Sequence, residues 1–430
     1  MKIFVYDEFN PEDVAMMQAL YSRSAASVEA HVEKVKKTGS GKFMESFYVG
    51  YGHASIGDCG STTIFIEGVS MLAAKAIQDW PLYSGQETSS RYIDFAKQVI
   101  VDPLGTADSA KIQKRWLDFY VTNRDALLAF LKRRYPRLPS EDEKIYERAI
   151  AARSFDILRG FLPAGATTQL SWHTNLRQAA DKLALLRHHP LKEISDIAEG
   201  ILAELRRKYP HSFGHKEYPA QEEYRALTAK RYTYYDTKSC NPNFIYNTRI
   251  KEKDLAEYSE LLEKRPVKTN LPNFLSELGM VTFEFMLDFG SFRDLQRHRN
   301  GVCRMPLLTA NCGFHEWYLN QLPDDLMLEA QKLIKEQKEA IDALAASDEM
   351  RQYYVAMGYH VLCRVTYGLP AAVYTTELRS GKPVHPTMRK IAHRMHYALK
   401  ELFPSLMLHS DLEPDDWDVR RGKQDIVEKK

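Results

Sequence analysis

Apolar positions recur at three- and four-residue spacing over 109–135, 140–158, 174–187 and 190–208, and this period predicts helices there. PEDVAMMQALYSRSAASVEAHVEKVKK is expected to be helical, with Pro11 near its start. Shorter runs are of another kind. MKIFVYD and STTIFIEG predict strands, and SMLAAKAIQDW predicts a short helix after the second. GSGKF is a break, and YVGYGHASIGDCG is loop-like. The stretch YPHSFGHKEYPAQEEYRALTAKRYTYYDTKSCNPNF has little periodicity and is expected to be a connector, with tyrosines that pack onto a neighbour.

Beyond that connector the order of patterns begins again. LPNFLSELGMVTFEFMLDFGSFRDLQRHR follows the logic of HASIGDCGSTTIFIEGVSMLAAKAIQDWP: loop, strand, glycine, helix, polar motif. ILRGFLPAGATTQ is echoed by VTYGLPAAVYTTE, which puts Thr366 opposite Arg159. LLRHHPLKEISDIAEGILAELRRKYP is echoed by ELRSGKPVHPTMRKIAHRMHYALKELFP, with about a dozen residues missing before it in the second copy. Echoes in one order point to an internal duplication, with copies at 1–225 and 226–430. Clefts between such copies are natural ligand sites.

Composition narrows the class. With 59 basic against 57 acidic residues the chain lacks the field of a nucleic-acid binder, so an anion site has to be a local pocket. No apolar run approaches the roughly 20 residues of a membrane span, and the N-terminus has no signal-peptide core, so a cytoplasmic protein is expected. Cys59, Cys240, Cys303, Cys312 and Cys363 are odd in number and show no CxxC spacing, which predicts reduced thiols. His188 and His189 have no third ligand at a useful spacing, so no metal is expected.

Two polar stretches carry candidate chemistry. DWPLYSGQETSSRY, residues 79–92, packs Ser84, Gln86, Glu87, Ser89, Arg91 and Tyr92 behind an apolar helix. QRHRNGVCR places Arg297, His298 and Arg299 behind another. Taken alone, the first could be a helix-capping turn with a Glu87–Arg91 pair. The second could be a solvated basic helix end favoured by the helix dipole.

At these residues the sequence resembles the flavin-dependent thymidylate synthases, the ThyX family, whose signature is RHRxxSxNExSxRY. In that frame Ser84, Glu87, Ser89, Arg91 and Tyr92 match in the first copy. There Gln86 replaces Asn, and Asp79, Trp80 and Pro81 replace RHR. Arg297, His298 and Arg299 match in the second copy, where the other half of the signature is missing. GHASIGD resembles the family's HxTPFE, RGFLP its RxxLP, and HTNLRQAADKLALLR its NxR…N…LR segment.

The resemblance implies an α+β fold of two tandem ThyX-like domains, each a small, mainly antiparallel sheet packed with several long helices. It implies reductive methylation of dUMP to dTMP, with FAD as cofactor and NADPH and methylenetetrahydrofolate as co-substrates. Ser84, Gln86, Glu87, Ser89, Arg91, Arg159 and Arg297 would bind the nucleotide. His53, Ser55, Asp58, Asn175, Arg177, Asp181, His298 and Arg299 would bind FAD. Arg187, or its rival Arg379, would polarise the pyrimidine. Ser84–Tyr92 and Arg297–Arg299 are expected to meet in a composite cleft between the copies. Two chains, as a homodimer, would rebuild the family's tetramer. Gln86, Asp181 and Asp294 depart from the family pattern. They leave open a divergent flavoenzyme acting on another pyrimidine nucleotide, or a non-catalytic nucleotide-binding protein.

Overall fold

The computed structural model describes residues 8–24, 26–93, 95–235 and 240–423. The strand expected over 1–7 and the side chain of Tyr92 lie outside the described residues. The fold is α+β, and the chain divides into two compact units. The first holds the chain up to Val69, Ala73–Thr88 and Thr168–Thr233; the second holds Ser70–Leu72, Ser89–Thr167 and the chain from Tyr234 onward.

In the first unit, the N-terminal helix that the period predicts is two helices, Pro11–Tyr21 and Val28–Thr38. Asn10 caps one by accepting from the Glu12 and Asp13 N–H groups, and Ser27 caps the other by accepting from Glu29. Ser22, Arg23 and Ser24 between them offer nothing to bury, so the chain turns there. Met16, Met17, Val32 and Val35 then close on one another as a small core. Strand β1 (Ser61–Ser70) pairs with β2 (Thr167–Asn175), and β2 leads into the helix Leu176–Leu186. Asn175 starts that helix by accepting from the Gln178 N–H. The connector contains a helix of its own, Pro219–Tyr232.

The second unit is built on an antiparallel sheet of β3 (Ile245–Thr248), β4 (Met280–Asp288), β5 (Gly301–Cys303) and β6 (His360–Gly368), in the order β3-β4-β6-β5. Along β4 the alternate residues Val281, Phe283, Phe285 and Leu287 are fully buried, the period of a strand with one face on a core. The helices Ala107–Thr122, Arg124–Arg134 and Glu143–Leu158, from the first half of the sequence, belong to this unit. So do Leu369–Ser380 and Pro386–Leu402 from the second half.

The order turn, strand, helix occurs twice. Arg159–Phe161 precedes β2 and Leu176–Leu186; Gln352–Tyr354 precedes β6 and Leu369–Ser380. The residue opposite Arg159 is therefore Gln352. Thr366 lies inside β6, where its hydroxyl meets that of Thr282 at 3.0 Å. Because the helix after β6 is complete, no dozen-residue segment is missing. The expectation of reduced thiols also needs correcting: Cys240 and Cys312 form a disulfide, while Cys59, Cys303 and Cys363 are free. An odd count could not reveal the pair, because proximity came from folding and not from spacing. Among the described residues no helix is long and apolar enough to cross a membrane.

Candidate functional site

The stretch SGQET is neither a cap nor a turn. Ser84 and Glu87 bridge His173 and Leu170 of β2 in antiparallel sense, so the segment is an extra extended strand on that edge. Gly85 is required there, because a Cβ would come within 2.0 Å of the Ser171 carbonyl oxygen. Alternation then sends Gln86 to the surface and Glu87 inward. The Glu87 carboxylate receives Lys75 Nζ at 2.9 Å and Gln78 Nε2 at 2.8 Å, with both charged side chains almost wholly buried. Its buried cationic partner is thus Lys75, where the sequence had suggested Arg91. Ser89 and Arg91 fall in the second unit, where the Arg91 Nε–H donates to Ser89 Oγ at 3.5 Å.

Asp79 and Trp80, which stand in place of RHR, dock on the Leu176–Leu186 helix. Trp80 Nε1 donates to Gln178 Oε1, and Lys182 Nζ donates to the Asp79 carbonyl while lying 5.7 Å from the Trp80 ring. Burial lowers the Lys182 pKa to about 8, with Asp79 pulling weakly the other way. A base whose folded pKa lies below its ordinary 10.5 sheds its proton first in the folded chain, so stability rises with pH between those values. The urea midpoint is expected to climb from pH 8 toward 10 in the native chain, and Lys182→Met to flatten that climb. Equal pH dependence in both would show that Lys182 is not the titrating group.

The remaining first-unit candidates converge although about 120 residues separate them. Asp58 Oδ1 receives Arg177 Nε at 2.8 Å and Asn175 Nδ2 at 3.2 Å, and Asp181 lies 3.8 Å from Arg177 Nη1. His53 stacks on Tyr51, and Ser55 is exposed on the short helix Ala54–Gly57 that follows. A cavity of about 390 Å³ opens beside them, lined by Tyr48, Arg177, Asp181, Arg187, His215 and Glu222 among others. The Arg177 and Asp58 side chains are 35% and 33% exposed, so their pair contributes about 0–1 kcal/mol. It can open toward a competing anion, and the donors Arg177 and Asn175 therefore fit the anionic part of a flavin nucleotide. Arg187 is more committed: it bonds Glu199 at 2.5 Å and Glu217 at 2.7 Å, and Glu217 above all raises its pKa.

The second unit gathers arginines from both halves of the sequence. Arg297, Arg379, Arg159 and Arg293 all act on Asp294, and against the upward push of burial they hold its pKa at about 2. Arg297 is half exposed and 3.6 Å from Asp294, and Arg299 Nη1 donates to the Arg297 carbonyl. Arg379 is fixed by donating from Nε to His298 Nε2 at 2.7 Å and from Nη2 to the Asp294 carbonyl at 2.8 Å. His298 is buried, and burial together with Arg379 lowers its pKa to about 3. It is a neutral, packed ring, and the positive charge of the RHR motif resides in its two arginines.

Arg159 is buried, with Nη2 donating to Ser291 Oγ at 3.2 Å. Around it stand Asp288, Ser291, Tyr318 and His385, which no sequence motif singles out. Asp288 Oδ2 accepts from the Ser291 N–H and the Tyr318 hydroxyl, and Ser291 Oγ meets His385 Nδ1 and Thr387 Oγ1. Only the Asp288–Ser291 spacing, a helix N-cap pattern, was there to find them. Burial lowers the Arg159 pKa, but Tyr318, Asp156, Asp294 and Asp288 outweigh that and keep it protonated. Gly160 lets this turn approach the Tyr318 ring, which a Cβ would meet at 2.6 Å.

Among the described residues one group has metal-ligand proximity: His315, Glu316 and His360, with ligand atoms within 4.8 Å of one another. His315 Nδ1 is occupied in accepting from the Trp317 N–H, and His360 Nδ1 bonds the Cys312 carbonyl. His188 pairs with Glu222 at 2.7 Å instead.

Comparison with known proteins adds a family. Residues 5–211 match the Thy1 family, described as thymidylate synthase complementing protein. The chain is similar to a UPF0159 protein of Chlamydia muridarum, at 26% identity over 83% of this chain and 78% of the relative. It is similar also to a UPF0159 protein of Chlamydia pneumoniae, at 24% over 86% and 81%. A UPF0159 protein of Thermoplasma acidophilum is 24% identical over 92% and 94%.

Proposed function

We propose, from the match of residues 5–211 to the Thy1 family, that the chain is a thymidylate synthase-like enzyme acting on a pyrimidine nucleotide. The reaction is reductive methylation of dUMP to dTMP, with methylenetetrahydrofolate, NADPH and FAD. The observation that carries this reading is the cluster of Arg159, Arg293, Arg297 and Arg379 about the Asp294 carboxylate, with Asp156 and Asp288 also facing Arg159. Its surplus positive charge suits a dianionic nucleotide, because charge-assisted bonds to guanidinium are short and strong.

Arg297, half exposed, reaches the phosphate together with Ser89 and Arg91. Arg379, whose direction is fixed by His298 and the Asp294 carbonyl, withdraws electron density from the pyrimidine carbonyls; a fixed donor of this kind contributes about 3 kcal/mol. It suits this role better than Arg187, which Glu199 and Glu217 neutralise. His53, Ser55, Asn175 and Arg177 hold the flavin, with Asp58 and Asp181 releasing Arg177 to it. When bound, that group supplies the hydride, and the chain supplies position and charge. The enzyme is cytoplasmic and works as a homodimer.

A second reading has support of its own. Asp58 engages both Asn175 and Arg177, and Trp80 packs where a flavin-facing residue would stand. A nucleotide-binding protein without flavin chemistry would look like this.

The test is turnover of dUMP with deuterium-labelled co-substrates, alongside the visible spectrum of the purified protein with added FAD. Label in the product supports the enzyme. FAD binding with dUMP unchanged points to another pyrimidine nucleotide. Binding of dUMP without FAD favours the second reading, and failure of both to bind sinks the proposal.

A further inference from the structure

His315, Glu316 and His360 have no part in the proposed reaction, and backbone pairing explains why they meet. Phe314 and Tyr359 form an antiparallel bridge. Beside it the His315 N–H donates to the Gly358 carbonyl and the His360 N–H to that of Gly313, both at 2.9 Å. Alternation about the bridge sends His315 and His360 to the same side as diagonal neighbours. Their ring centroids are 4.7 Å apart. Gly313 faces His360 across the pairing with φ +78° and nothing within 4 Å of where a Cβ would stand, so this side of the pairing is open. Glu316 begins the helix Glu316–Asn320, and its side chain is 60% exposed.

Two observations point to a metal ion. The first is proximity: the three ligand atoms lie within 4.8 Å of one another. Bonds of about 2.0–2.1 Å to a tetrahedral ion call for separations on the order of 3.4 Å. Rotation of the Glu316 side chain can close much of that gap, because its contacts with Lys390 Nζ at 3.7 Å and His315 Nδ1 at 3.5 Å are long. Such an exposed pair holds a side chain weakly. The second observation is orientation. His360 Nδ1 faces the Cys312 carbonyl at 3.3 Å. A carbonyl only accepts, so Nδ1 carries the proton and Nε2 presents its lone pair, as in metal-binding histidines whose other nitrogen is anchored. His315 rests in the other tautomer, its Nδ1 accepting from the Trp317 N–H. To use Nε2, an ion has to draw the ring proton across to Nδ1, where Glu316 Oε2 stands as an acceptor.

We infer that His315, His360 and Glu316 form a site for a divalent ion of the zinc class, with a fourth position left for water. Two imidazoles favour zinc and its neighbours over magnesium and calcium, which prefer oxygen ligands. Three protein ligands is the number found in zinc sites that keep an exchangeable water. None of the three residues belongs to the proposed nucleotide or flavin contacts, so the test needs neither dUMP nor FAD and stands apart from that of the reaction.

The test is calorimetric titration of the full chain, first stripped with a chelator, with zinc chloride and separately with magnesium chloride. Zinc is expected to saturate with a Kd of about 1 μM or below, and magnesium not to saturate. Glu316→Gln and His360→Gln should each weaken zinc at least about tenfold, the usual scale for a disturbed metal shell. Glu316→Gln alters an exposed side chain, so its metal-free thermal midpoint should stay at the parent's value. His315→Asn removes the ring but keeps a residue that caps helices well, and it too should weaken zinc at least about tenfold. Zinc should raise the thermal midpoint of the parent and leave that of His360→Gln unmoved at the same concentration. Absence of saturable zinc binding, equal affinity for magnesium, or unchanged zinc affinity in either Glu316→Gln or His360→Gln would each overturn the inference.

Discussion

Glu87→Gln is expected to destabilise the protein by about 3–5 kcal/mol, the cost of leaving one member of a buried ion pair without its partner. The Lys75 side chain is 0% exposed and that of Glu87 is 3% exposed. Once the carboxylate is neutral, the ammonium keeps Gln78 Oε1 at 2.9 Å but loses the opposing charge of Glu87. The double variant Lys75→Met, Glu87→Gln removes both charges and preserves a partner for Gln78, so it should recover most of the loss. Urea unfolding reads both variants. If Glu87→Gln keeps the parent's midpoint but binds nucleotide poorly, Glu87 is a ligand contact and the buried-pair account fails. If stability falls, Glu87 fixes the strand that carries the motif.

Arg159→Met should be as damaging, also about 3–5 kcal/mol, because Asp288 and Asp156 are almost completely buried beside it. Adding Asp288→Asn keeps an acceptor for the Ser291 N–H and the Tyr318 hydroxyl while removing the stranded charge. The two changes should therefore cost less together than their sum, by more than the usual additivity error of about 0.5 kcal/mol. Arg297→Ala is the contrast. It is half exposed and weakly paired, so stability should move by less than about 0.5 kcal/mol, while nucleotide affinity falls about tenfold or more. Matching stability losses for Arg159→Met and Arg297→Ala would mean that the arginine cluster is one structural unit and does not reserve Arg297 for a ligand.

These contrasts show what the sequence could and could not reveal. Helices with clear apolar spacing were legible to within a few residues, because caps such as Asp142 and Asn175 are local signals. The division of the long N-terminal helix at Ser22–Ser27 was hidden because its two halves share a period. SGQET could not be recognised as a strand, since its side chains are polar on both faces and only its buried partners, Lys75 and Gln78, reveal the alternation. The docking of Trp80 on Gln178 and Lys182 was equally out of reach, because it depends on contacts about a hundred residues apart. Trp80 packs the Leu176–Leu186 helix much as His298 packs Tyr374 and Arg379 on Leu369–Ser380. Placement of the helices 107–158 with the second half was likewise non-local, and no composition change marks Ser89 as a boundary.

The Cys240–Cys312 bond closes a covalent ring around the residues between them. β3, β4 and β5 lie inside that ring, and so do Arg297 and Arg299. A protease that cuts once within it produces two fragments that still migrate together until a reducing agent is added. Limited digestion run with and without reductant thus gives a gel assay for whether the arginine-bearing segment is tethered in the cell from which the protein is taken.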